Sequence, residues 1–142
     1  MAAAYAVSVV LRRSGHWLVY DLTYNLPIVL PFVLFLLQRV RTRDQLGARR
    51  IAIDVAVIAL AASRVILPVP GFSGHTLFLT HALRTTRGVA RAAAVLIFVE
   101  VTVIKLALWH DASWGGGLVI GFLSAWAWRS ARPTASALGR SV

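Results

Sequence analysis

Five apolar runs, each ending near arginine or a polar turn, constrain this chain more than any other feature. They cover residues 17–38, 51–69, 73–86, 90–109 and 114–130. A helix needs about 20 apolar residues to cross a bilayer. The first, second and fourth runs have about that length, and the fifth is slightly short. The third is clearly short, because Arg84 interrupts it. It crosses only where the bilayer is thin or where Arg84 and Arg87 reach along their stems to the surface. Otherwise it is a half-helix that turns back. With 58% hydrophobic and only 14% charged residues, the chain is too apolar for a small soluble domain. The expected fold class is therefore all-α, an integral membrane helical bundle of about five transmembrane segments. Residues 17–130 form its single domain. Residues 1–16 are expected to be interfacial or disordered, and 131–142 to be a flexible C-terminal tail. Pro27 and Pro31 are expected to kink the first helix.

The net charge of +10 does not imply nucleic acid. Nucleic-acid binding needs a solvated basic face, whereas these arginines sit at the ends of apolar runs, where they set orientation and meet lipid phosphates. Membrane lipids are the expected partners, with no nucleic acid among them. Arg39, Arg41, Arg43, Arg49 and Arg50 form one cluster, Arg84, Arg87 and Arg91 a second, and Arg129, Arg132 and Arg140 a third. If all five runs cross, the three clusters share one side. The positive-inside rule makes that side cytoplasmic, with the C-terminus there and the chain in a bacterial or archaeal plasma (inner) membrane. Arg12 and Arg13 point the other way and are outnumbered. The chain has no cysteine, so disulfides and thiolate metal sites are excluded.

Charged groups inside bilayer helices are costly, which makes Asp54, Arg64, Glu100 and Lys105 candidates for function. The structural reading pairs Asp54 with Arg50, four residues earlier, and Arg64 with Glu100 across two helices. The functional reading gathers Arg64, His75, Lys105, His110 and Asp111 into one outward-facing pocket that clamps a phosphate. On an α-helix Lys105 and His110 are about 140° apart and do not share a face, whereas Glu100 and Asp111 do. His81 is expected to bond to nearby backbone or threonine. No metal site is expected, since one would need three or four convergent ligands. Gly117, Gly121 and Ala125 recur every four residues, a spacing that lets helices approach closely. That face packs either inside this bundle or against another subunit. Trp109, Trp114, Trp126 and Trp128 are expected at the membrane interfaces.

Two motifs carry a family resemblance. The run "FSGHT" at 72–76, followed by "WHDASWGGGLVIG" at 109–121, resembles the type 2 phosphatidic acid phosphatase (PAP2) superfamily over roughly residues 60 to 125. That family is helical, and many members act without metal on lipid phosphates or pyrophosphates at the outer membrane face. The resemblance implies His75 and His110 as catalytic residues, with His110 the nucleophile. Taken with the pocket reading, it gives Arg64, Ser73 and Lys105 as substrate-binding and Asp111 and Glu100 as supporting, and the family needs no cofactor. Phe72 stands where proline is usual, Trp114 where an aspartate is expected, and Lys105 one position from the family's arginine. The expected function is thus a headgroup or phosphate site, either an active metal-independent lipid phosphatase or a degenerate binder. The alternative is a non-catalytic transmembrane subunit of a larger membrane complex; the expected protein partners are a second copy of the chain or the subunits of such a complex. Asp54 and Glu100 suggest a third reading, a small transporter or channel.

Overall fold

A computed structural model describes residues 17–66, 71–108 and 112–131, with side chains over 26–64, 71–107 and 112–131. The N-terminal segment, the tail beyond residue 131, and Trp109, His110 and Asp111 lie outside the described residues. Each expected apolar run is a helix: α1 is Trp17–Arg41, α2 Ala48–Ile66, α3 Gly74–Thr85, α4 Gly88–Val103 and α5 Ser113–Ser130. A 3₁₀ turn, Arg43–Gln45, follows α1, and a π turn, Ile104–Leu108, follows α4. α1 runs without interruption through Pro27 and Pro31.

The shortest helix is the central one. α3 contacts α1, α2, α4 and α5, and its residues from Thr76 to Ala82 are all buried. Its 12 residues span about 18 Å at 1.5 Å per residue. Ser73 starts it as an N-cap, accepting a hydrogen bond from the Thr76 N–H at 3.3 Å. At its end the Thr85 and Thr86 hydroxyls donate to His81 O and Ala82 O at 2.9 and 2.7 Å. Phe78 fixes α3 against α1, its ring centroid 5.5 Å from those of both Phe32 and Phe35.

The seam between α3 and α5 is tight along its length. A Cβ at Gly117 would lie 2.5 Å from Ser73 O, and one at Gly121 would lie 2.6 Å from Thr80 Cβ and 2.8 Å from Leu77 O. Gly117, Gly121 and Ala125 are all buried. Of the two readings of the small-residue face, the internal one holds: α3 packs against it.

Consecutive helices alternate in direction. Near one end, Arg39 of α1 reaches Asp54 of α2 and Thr85 of α3, Arg50 of α2 reaches Trp128 of α5, and the Arg87 N–H before α4 donates to Gln38 of α1. At the other end, the Ser73 N–H donates to Ser113 O at 2.8 Å and Gly74 packs on Ala61. An apolar core built on Phe35, Val57, Leu77, Phe78, Leu79 and Ile97 also holds polar groups, and many apolar side chains lie outside. Asp54, His81, Thr76, Thr80, Thr85 and Lys105 are buried, while Val40, Val55, Leu96, Val99, Leu123 and Trp126 are exposed. Among the described residues no helix is long and apolar enough to cross a membrane. In α2 the apolar stretch is interrupted by Asp54 and bounded by Arg49, Arg50 and Arg64.

Candidate functional site

The described residues of the expected site converge at the end where α3 begins. Arg64, in the last turn of α2, places its guanidinium over the Phe72 ring at 5.6 Å from the centroid. Ser73 is buried, and its oxygen is engaged in capping α3. His75 is the second residue of that helix and is half-buried. Lys105 is buried in the π turn, within electrostatic reach of His75. α5 is tied to the same end through Trp114, whose indole N–H donates to Thr102 Oγ1 at 3.1 Å.

The π turn changes one step of the sequence argument. The 140° separation of Lys105 and His110 assumes α-helical winding, but a π turn closes i→i+5. His110 and Asp111 themselves lie outside the described residues.

Two expected pairings are corrected. Both ion pairs among the described residues involve Asp54, so Glu100 is not the neutralising partner of Arg64. Glu100 is half-buried, with Oε2 lacking a hydrogen-bond partner among the described residues. Asp54 does not pair with Arg50. Its Oδ2 lies 2.8 Å from Arg39 Nε, and its Oδ1 lies 2.8 Å from His81 Nε2. Arg50 instead donates through Nε to Trp128 O at 3.2 Å and stacks on the Trp128 ring at 4.6 Å.

His81 bridges further than its expected local partners. Asp54 already faces the Arg39 guanidinium as an acceptor, so the His81 Nε2–H donates to it. The Nδ1 on the other side of the ring lies 3.0 Å from Ser124 Oγ on α5. Ser, His and Asp in a row resemble a nucleophilic triad, but the His81 side chain is 0% exposed. A substrate has no approach to that ring, so the set acts as a strut joining α1, α2, α3 and α5.

Above the strut, at the end opposite His75, lies a cavity of about 470 Å³ whose walls carry Arg39, Arg50, Arg84, Arg87, Arg91 and Arg129. The sequence offered a signal for it, the three arginine clusters expected on one side, but not their closure around a common space. Against known proteins, no family model, no curated protein and no solved structure matches this chain.

Proposed function

We propose that this chain is a membrane-embedded helical bundle that binds the phosphate headgroup of a lipid at the end where Arg64, Ser73, His75 and Lys105 meet. Large apolar side chains exposed along the outer helices, among them Leu96, Val99, Leu123 and Trp126, support the membrane setting. The observation that carries the headgroup reading is Lys105, a buried cation beside His75 at the first turn of α3. A helix start favours an anion, and Lys105 and His75 bring two basic side chains to the first turn of α3. The resemblance of "FSGHT" to the lipid-phosphatase motif agrees with this placement. It also extends the reading to catalysis, with His110 as nucleophile and His75 as the acid for the leaving oxygen.

The test uses purified protein and a panel of lipid phosphates, with both binding and phosphate release measured. Lys105→Gln should weaken binding about tenfold or more, since a charge-assisted hydrogen bond contributes about 1.5–3 kcal/mol. His110→Ala should abolish any release while leaving binding in place. Unaltered binding in both Lys105→Gln and His75→Ala would exclude this end of the bundle as the headgroup site.

A further inference from the structure

We propose that the arginine-lined cavity at the opposite end is a second binding site, one that takes the phosphate group of an anionic lipid. This site is independent of the headgroup reading at His75. Its six guanidinium groups come from α1, α2, α3, the α3–α4 link, α4 and α5, so the cavity exists only in the folded bundle. Its volume, about 470 Å³, lies within the common range for small-ligand sites.

Charge is the first argument. Asp54 is the carboxylate in contact with this group, and it is engaged by Arg39 and His81. Arg84, Arg87, Arg91 and Arg129 have no carboxylate partner among the described residues. Like charges gathered around one space repel, and an anion between them removes that repulsion.

Preorganisation is the second. Arg129 donates through Nε and a terminal nitrogen to Arg84 O at 3.2 and 2.8 Å. Arg39 donates to Thr85 O at 3.2 Å and to Thr85 Oγ1 at 2.8 Å. Trp128 stands between Arg39 and Arg50, each guanidinium carbon 4.6 Å from its ring centre. A guanidinium has five N–H donors, so these contacts orient the forks and leave donors for a ligand. The planar fork matches phosphate oxygens two at a time. α4 also begins at the rim, and Arg87 in the N-cap position makes no side-chain capping bond.

An exposed apolar face argues for a lipid. It runs along α4 past Ala92, Val95, Leu96 and Val99, and it starts at Arg91, which also lines the arginine cavity. A phosphate in the cavity would therefore have its acyl chain laid along the outside of α4. The site binds and does not hydrolyse, because His81, Asp54 and Ser124 are not part of the cavity wall.

The experiment compares the full chain with two variants, in nanodiscs containing phosphatidic acid or phosphatidylcholine alone, and in detergent with inorganic pyrophosphate. Arg87→Gln/Arg91→Gln removes two guanidinium groups that hold no other part of the fold. Lys105→Gln acts at the far end. Saturable phosphatidic acid binding should weaken at least tenfold at one class of sites in the double variant, with the unliganded thermal midpoint equal to or above that of the parent, since two mutually repelling charges are gone. Loss in the double variant with no change in Lys105→Gln supports this site and removes the headgroup reading at His75. The reverse pattern overturns this site and keeps the other. Failure of the parent to distinguish phosphatidic acid from phosphatidylcholine overturns the lipid assignment. So does pyrophosphate binding without phosphatidic acid binding, which would make the cavity a site for a soluble phosphate.

Discussion

The two ends of the bundle handle charge in opposite ways. At the arginine end, α1, α3 and α5 finish, and the last turns of these helices carry Arg39 and Arg41, Arg84, and Arg129. Helix C-termini leave carbonyls without intrahelical partners and a partial negative charge. The guanidinium groups of Arg39 and Arg129 reach Thr85 O and Arg84 O to satisfy them. At the histidine end, α3 and α5 start, and the need is reversed. Amide groups require acceptors, which Ser73 Oγ and Ser113 O supply. One end is thus assembled from long side chains reaching inward. The other is assembled from backbone brought close by Gly74, Gly116 and Gly117. The same alternation of helix direction produces both, so a substitution should act differently according to the end it strikes.

The largest expected effect is at Asp54. Asp54→Ala leaves Arg39 and His81 without their buried partner and should cost about 3–5 kcal/mol, the usual loss when one side of a buried ion pair is removed. Thermal unfolding in detergent measures it. Glu100→Gln, toward the other end, should change stability by less than about 1 kcal/mol, since the Glu100 carboxylate is in neither ion pair. Equal losses would break the comparison. Gly121→Leu comes next. Its side chain must displace Thr80 and the Leu77 carbonyl, at a cost of about 3 kcal/mol, the upper part of the overpacking range. Gly115→Ala meets nothing within 4 Å and serves as the control. If phosphate binding at one end survives Gly121→Leu while the other is lost, the two ends are independent units. Trp128→Leu should cost about 1–2 kcal/mol through its two cation–π contacts and should leave binding at the His75 end unaltered. The smallest effect is Ser73→Ala, about 1 kcal/mol for a lost N-cap. A loss of headgroup affinity beyond that of a distant control would give the Ser73 hydroxyl a second role in binding.

What the sequence disclosed was what is local or periodic. Apolar runs with arginine stops gave all five helices, and the short third run became α3, Gly74–Thr85. The four-residue spacing of Gly117, Gly121 and Ala125 gave a close seam, although not its partner. The pairing of Asp54 went astray for a physical reason. Arg50 lies one turn away on the same helix, the distance at which opposite charges ordinarily meet. Here the Trp128 ring and carbonyl claim Arg50, and Arg39 and His81 reach Asp54 from other helices. Partners 15 and 27 positions away leave no trace in local spacing. The π turn at Ile104–Leu108 was equally silent, because its residues are as apolar as those of an α-helix apart from Lys105. At the histidine end the sequence brought Arg64, Ser73, His75 and Lys105 together through motif resemblance. At the arginine end it gave clusters of charge without the walls that close them.

The central position of α3 sets an order of assembly. Its closest neighbour, α5, is synthesised after it, with α4 between them in the chain. Until α5 arrives, His81 has no Ser124, and Thr76 and Thr80 face a gap that only Gly117 and Gly121 are small enough to close. In the bilayer setting proposed above, such a half-made bundle turns a histidine and two hydroxyls toward lipid. A product ending before Ser113 would thus carry a visible defect along its whole length, the kind that membrane proteases and chaperones recognise. Docking of α5 conceals it, so the polar groups that join the two ends also report whether this helix is in place.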